Sequence, residues 1–454
     1  MSQVQKREGG SMDMTQGSPY RLIFLFSIPL LIGNILQQFY NMVDSIVVGN
    51  IVGAKALAAV GTGFPVIFML SSLFMGIGNG ATVMVSQFYG AKDFDRLRVT
   101  VTTIYKSMLI AIIPLSVLGI FISRPLLMLM QVPDDGTLDM AAVYMIVIFV
   151  GLIGSMGYNI NAGILQGLGD SRTSLLFLAI AAVINVVLDL TFTAGIRMGV
   201  FGVALATIIA QLCSWLFGLF YIQKKYTIIK INFRHMEFDK VLFRQALRLG
   251  IPSGIQQMCF SIGIMVMQAL VNGYGSTFMA GFNGANKIDS FAFMPVQSYS
   301  IAVTTYTGQN IGAHLLDRVK KGVKAGLILS FITCIVIGGI LYPISDLFMR
   351  MFSSDPGVIE SGVWYLHSVL PFYVLLAAGF MYSSVLKGSG EMIIPLISSI
   401  VGLWLARIPS AYLLDYFFGQ QYIYFSYAIG WVFGFIIPFI AYRRGKWKNK
   451  SIIK

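Results

Sequence analysis

Apolar side chains in this chain come in runs too long for the core of a water-soluble domain. Met108 to Ile122, Ala141 to Met156, and Phe433 to Tyr442 with its apolar approach are examples. Each belongs to a segment able to cross about 30 Å of hydrocarbon as a helix of roughly 20 residues. That length favours helices over a barrel, whose strands would alternate at period two. Composition agrees, since 56% of the 454 residues are hydrophobic against 32 Lys and Arg and 19 Asp and Glu, and mean hydropathy is +0.77. Too few polar groups remain to close a water-facing surface, so the expected fold class is an all-α membrane protein.

Cutting at charge and Pro/Gly clusters gives twelve spans: Leu22–Val48, Ala56–Val85, Val101–Ile122, Met140–Leu165, Ser174–Ile196, Val200–Ile222, Ile251–Asn272, Phe278–Ile301, Ala325–Tyr342, Val363–Val385, Ile393–Leu413 and Tyr422–Tyr442. The first is too long for a signal-peptide core and lacks a cleavage site, so it is expected to stay in the mature protein. Cys213, Cys259 and Cys334 each sit in an apolar run and read as packing residues, neither a disulfide framework nor a metal spacing. No connection has room for a nucleotide-binding domain, and no Gly-x-x-x-x-Gly-Lys-Ser/Thr loop occurs, which argues against direct ATP drive. Gly76-Ile-Gly78-Asn-Gly80 lies inside an apolar span, where close helix packing explains it better than a dinucleotide loop.

Basic residues set the orientation, because Lys and Arg of short loops stay on the cytoplasmic side. With the N-terminus inside, 25 of the 32 fall on inner segments, seven of them between Lys224 and Arg248 and six from Arg443 to Lys454. Only Lys55, Arg124, Arg197 and Arg350 are left outside. Both termini are therefore expected in the cytoplasm of a multi-pass plasma-membrane protein. The net charge of +13 reads as topology plus attraction to anionic lipid of the bilayer, with no nucleic-acid partner.

The chain also repeats itself. Phe26-Ser-Ile-Pro29 returns as Leu249-Gly-Ile-Pro252 at an offset of 223, and Gln87-Phe-Tyr-Gly90-Ala91 as Gln309-Asn-Ile-Gly312-Ala313 at 222. Leu165-Gln-Gly167-Leu-Gly169-Asp170 is echoed by Leu386-Lys-Gly388-Ser-Gly390-Glu391 at 221, and Trp215-Leu-Phe-Gly218 by Trp431-Val-Phe-Gly434 at 216. Six spans per half make both halves enter from the same side, a parallel repeat common in secondary transporters. The expected organisation is an N-terminal segment 1–19, a lobe 20–223, a basic linker 224–246, a second lobe 247–442 and a basic tail 443–454.

On these motifs, with Val43-Asp44-Ser45, Val48-Gly49 and Ala58-Ala59-Val60-Gly61, the whole chain resembles the multidrug and toxic compound extrusion (MATE) transporters. The resemblance implies two six-helix lobes and export of organic cations in exchange for protons or sodium ions. It implies no enzyme and no cofactor. A monomer is the expected state.

Ionisable groups inside a span are costly, which makes each a candidate site residue. Asp44 closes a polar stripe with Gln37 and Asn41 on span one, flanked by Asn34 and Gln38, and Asn185 stands one turn before Asp189 on span five. By helical rise Asp189 lies about 22 Å along its span, so both acids fall in the outer half of one lobe. Two carboxylates in one poorly solvated pocket share protons, as a proton-coupled exchanger requires. The resemblance, closer to the DinF-like than to the NorM-like pattern, carries the ion-coupling role to Asp44, Asn185, Asp189 and Thr207, with a span-four asparagine at Asn161 or Asn159. It also leaves sodium at Asp44 and Asn185 open. A substrate cavity would involve Gln37, Tyr40, Asn41, Gln257, Met258 and Ser261, together with Lys287 and Asp289, which either line it or form a structural pair with other helices.

Two rival readings carry less of the sequence. A lipid-linked oligosaccharide flippase of the same superfamily would show fourteen spans and a cationic groove. An intramembrane enzyme would need a nucleophile with its base, or a metal cluster, yet His235, His314 and His367 sit in separate segments. The topology is testable by cysteine labelling in intact cells. A Cys placed at Gln223 or Lys446 should escape an impermeant maleimide until the membrane is permeabilised, and labelling beforehand would reverse the orientation.

Overall fold

A computed structural model describes residues 11–130, 132–231 and 236–453; His235 and Lys454, named above, lie outside them. Among the described residues there is no strand. The helices are α1 (Pro19–Val47), α2 (Ala54–Gly90), α3 (Phe94–Leu129), α4 (Thr137–Val150), α5 (Leu152–Gly167), α6 (Ser171–Leu190) and α7 (Gly199–Lys225). They continue as α8 (Lys240–Asn272), α9 (Ser276–Gly312), α10 (Leu316–Arg350), α11 (Pro356–Val369), α12 (Tyr373–Ser389), α13 (Ile393–Ile400), α14 (Ile408–Phe418) and α15 (Phe425–Arg444).

Among the described residues these join into twelve long helical units, up to eleven of them long and apolar enough to cross a membrane. α4 and α5 meet at Gly151 with a bend of 53°. α11 and α12 are separated by a short tight turn, Leu370–Phe372, that contains Pro371. α13 and α14 are joined through a seven-residue π-helical stretch, Val401–Arg407. Several helices outrun the spans read from the sequence: α3 begins at Phe94 rather than Val101, and α10 at Leu316 rather than Ala325. Hydropathy marks only the hydrocarbon-crossing part, whereas main-chain hydrogen bonding carries a helix on into the polar zone.

Chain contacts divide the molecule into two units. The first comprises Ile32–Gly254 with the short stretch ending at Asp13, and the second comprises Met14–Leu31 with Ile255 to the C-terminus. Each unit thus takes in part of α1 and part of α8, and a cut at the basic segment alone does not describe the grouping. The described part of that segment is fastened to the first unit: Tyr226 Oη donates to Asp170 Oδ2 at 2.6 Å, Lys106 Nζ to the Met236 carbonyl at 3.2 Å, and the Asp239 amide to Thr103 Oγ1 at 3.1 Å.

The internal repeat is written in the backbone. Left-handed turns recur at the repeat offset, at Gly53 and Gly275, Lys92 and His314, Gly169 and Gly390, and Gly199 and Gly419. Asp170 accepts the Thr173 amide at the start of α6, and its counterpart Glu391 accepts the Ile393 amide at the start of α13. Each caps a helix and complements the positive end of its dipole.

Close helix packing repeats as well. A Cβ added to Gly167 of α5 would lie 2.8 Å from the Thr82 carbonyl of α2, and one on Gly388 of α12 would lie 2.5 Å from the Thr304 carbonyl of α9. Between lipid tails there is little hydrophobic drive for helix association, so small residues that admit a neighbouring backbone supply the contact. Gly78, in the glycine-rich run of α2, receives Gly163 of α5, whose Cβ would come within 2.3 Å of the Gly78 carbonyl oxygen. The run is therefore a packing seam. Cys334 is buried with its thiol 3.9 Å from the Tyr373 carbonyl, and all three cysteines are unbridged.

Substituting Gly163 by Val should destabilise the protein by about 1–3 kcal/mol. Gly339→Ala, at a helical position with nothing within 4 Å of the new Cβ, should stay within about 0.5 kcal/mol. Unfolding midpoints in one detergent check both.

Candidate functional site

Span one and span five of the first unit both leave α-helical geometry just beyond an acid. α1 passes into a π-turn at Val48–Val52, four residues after Asp44, and α6 into another at Thr191–Gly195, two residues after Asp189. Such turns free carbonyls from the regular ladder, and at membrane depth these must be met locally. Side chains do so: Thr193 donates to the Asp189 carbonyl, Ser45 to the Asn41 carbonyl at 2.9 Å, and Asn50 to the Ile46 carbonyl at 3.1 Å. A buried apolar cluster that includes Val48, Ala56, Tyr144, Val200 and Val203 holds the broken ends in place.

The two acids meet. The carboxyl of Asp44 lies beside that of Asp189, which is buried to 1% exposure. Asn185, equally buried, lies one turn earlier on α6 and donates through Nδ2 to Thr207 Oγ1 at 3.4 Å. Thr207 Oγ1 in turn donates to the Val203 carbonyl at 3.1 Å. Tyr40 reaches Thr207 as well, and Tyr40 and Tyr144 both lie within the electrostatic field of the two acids.

What this cluster lacks is donors. Asp44 Oδ1, both carboxyl oxygens of Asp189 and Asn185 Oδ1 are buried with no hydrogen-bond donor among the described residues. Two ionised carboxylates in contact repel, and a hydrogen bond between them exists only when one carries a proton. An arrangement of acceptors alone is satisfied by a cation, either a proton shared by the pair or a small metal ion with oxygen ligands. The donor-poor set fits both. Among the described residues no group of three His, Cys, Asp or Glu assembles a conventional metal site.

The structure therefore brings Asp44, Asn185, Asp189 and Thr207 together, with Tyr40 beside them. It employs the span-four asparagines elsewhere. Asn161 accepts from the Tyr105 hydroxyl and donates to the Trp215 carbonyl at 2.9 Å, tying α5 to α3 and α7, while Asn159 donates to the Ser155 carbonyl at 2.8 Å in its own helix. Gln37 is exposed and Asn41 half-buried in the first unit, and Gln257, Met258 and Ser261 are half-buried in the second.

Lys287 and Asp289 part company, as their two-residue spacing on one helix requires. Lys287 is exposed, its ammonium 6.0 Å from the Phe352 ring centroid. Asp289 turns to the core of the second unit, where the Tyr373 hydroxyl donates to its carboxylate and Tyr365 and Arg407 act on it. Sequence reasoning missed Tyr144, an aromatic within an apolar run, and assigned no role to Arg407 or Lys387. Lys387 belongs to α12 and is half-buried.

The profile of the MatE family matches residues 29–191 and 252–413, one copy in each half. The chain is 30% identical to a probable multidrug resistance protein, YpnP, of Bacillus subtilis, over 97% of this chain and 98% of that one. It is 26% identical to the probable multidrug resistance protein NorM of Thermotoga maritima, over 94% and 93%. Among solved structures, an outward-facing multidrug resistance MATE family transporter superposes with a TM-score of 0.90 at 23% identity, covering 98% of this chain and 99% of that one. The fold is that of an all-α membrane protein with twelve transmembrane helices in two six-helix lobes related by a parallel repeat.

If the acid pair is held together only by a bound cation, an amide should relieve it without one. Asp189→Asn supplies two donors to the orphaned acceptors and removes a like charge. It should raise stability at neutral pH by about 1–3 kcal/mol, read as a higher unfolding midpoint in detergent. A midpoint below wild type would mean that the acceptors are already satisfied.

Proposed function

Because the chain belongs to the MatE family, we propose that it is a secondary active multidrug exporter, which moves amphipathic, mostly cationic organic compounds outward in exchange for an inward-moving cation by alternating access. The observation that carries the coupling is the contact of Asp44 with Asp189 amid buried acceptor oxygens that have no donor. Relatives named as multidrug resistance or multidrug export proteins support the substrate class. The protein acts as a multi-pass monomer of the plasma membrane with both termini in the cytoplasm, in line with the distribution of its basic residues.

The coupling ion is the proton. With the pair ionised, the first unit presents negative charge that favours a cationic substrate. A proton taken up from the more acidic outer side cancels it, and the substrate leaves. Linkage makes the exchange reciprocal, so substrate binding expels protons. A tenfold change in affinity needs only about 1.4 kcal/mol, which one proton shared between two carboxyls can supply. The side chains that do this work are few: Asp44 and Asp189 carry the charge, with Asn185, Thr207 and Tyr40 beside them.

Proteoliposomes with pH and sodium gradients imposed separately test the reading. Ethidium efflux should follow the pH gradient with no sodium requirement, and Asp44→Asn should lower uphill efflux at least about a hundredfold while leaving insertion intact. Efflux driven by sodium alone would replace the proton with a sodium ion held by Asp44 and Asn185. Uphill efflux by Asp44→Asn at the wild-type rate would remove the acid pair from the mechanism.

A further inference from the structure

The second unit holds a partly open cavity of about 90 Å³ lined by α8, α9, α12, α13, the π-helical stretch before α14, and α15. Its lining includes two bases, Lys387 and Arg407, and no acid. Neither base forms an ion pair among the described residues. Arg407 Nε is buried without an acceptor, while the guanidinium carbon lies 3.4 Å from the Tyr427 ring centroid. The acid that acts on Arg407 is Asp289, and its carboxylate is already engaged by the Tyr373 hydroxyl.

A cation left in such a place lacks the hydration it had in water, and the loss is recovered only by an anion or an acceptor. No carboxylate stands in the cavity wall to supply the countercharge. Gln256 Nε2 is spent on the Pro395 carbonyl at 3.2 Å and on Ser399 Oγ at 2.6 Å, and the Ser399 hydroxyl itself goes to the Pro395 carbonyl. Room for about three water volumes suits a small ion or one charged group, and excludes a whole drug-sized molecule.

The repeat gives the same answer independently. Its offset is 221 at Gly169 and Gly390 and 216 at Trp215 and Trp431, which brackets the counterpart of Asp189 between positions 405 and 410. Arg407 stands there, also beside a π-helical stretch. Where the first half carries an acid, the second carries a base.

We propose that the second unit binds a small monovalent anion, a halide or the carboxylate of an organic molecule, between Lys387 and Arg407. The first unit then takes a cation and the second an anion, each at the break in the corresponding helix. The site goes beyond the cation exchange proposed above and stands without it, since binding is measured in the absence of transport.

The test is titration of the purified full-length protein in nanodiscs, in a sulfate buffer free of halide and carboxylate, with bromide and with benzoate separately. Trp431 lines the cavity, so its fluorescence reports occupancy, and Trp431→Phe assigns the signal. Saturable quenching is expected, weakened by about tenfold or more in Lys387→Gln and in Arg407→Gln, and largely kept in Arg407→Lys. Saturation by bromide alone identifies an inorganic ion, and saturation by benzoate that bromide displaces identifies an organic carboxylate; either supports the site. Wild-type quenching that never saturates overturns it whatever the variants do, as does saturation unchanged in both glutamine variants.

Discussion

Hydrocarbon offers the main chain no water, so every amide and carbonyl at membrane depth must find its partner inside the protein. From that follow the helices, their length, and the care with which they are interrupted. The chain leaves α-helical geometry beside Asp44, beside Asp189 and up to Arg407. Around the first two acids, hydroxyl and amide side chains from the same turns meet carbonyls one turn back. An interruption is thus stabilised locally, and the charge beside it is free to serve another purpose.

Those charges are unevenly matched. In the first unit two carboxyls and an asparagine oxygen face one another with nothing to donate to them. In the second, two bases share a cavity with no acid in its wall. A charge at the centre of a membrane helix costs about 2.5–3.5 kcal/mol on insertion scales. An ion of opposite sign would offset that cost, and its occupancy would then matter to the conformation.

The structural polar groups behave differently, and the contrast separates scaffold from site. Asn161 is about as buried as Asp189, yet its oxygen and its amide are both engaged, by Tyr105 and Trp215. His367 pairs with Ser345 at 2.9 Å and stacks on Tyr342. Asp170 caps α6 and receives the Tyr226 hydroxyl. Groups satisfied in this way hold helices together and have no capacity left for a ligand.

Much of this was legible in the sequence because it depends on local chemistry. Run length gave the spans, motif offsets gave the repeat, and an acid in an apolar run marked Asp44 and Asp189 as costly and therefore informative. Resemblance to a family joined Asn185 and Thr207 to them. What remained hidden depends on which helices touch: Asn161 and Asn159 are spaced like site residues but are consumed by other partners, and Lys387 looks like a loop base although α12 continues past it into a cavity wall. Lys287 and Asp289, two residues apart, separate to opposite surroundings because a helix turns about 100° per residue, and only packing decides which side is core. The sequence determined that charges would lie within the membrane; the tertiary structure decided which of them are left without partners, because a hydrogen bond to a distant helix cannot be read from spacing along one.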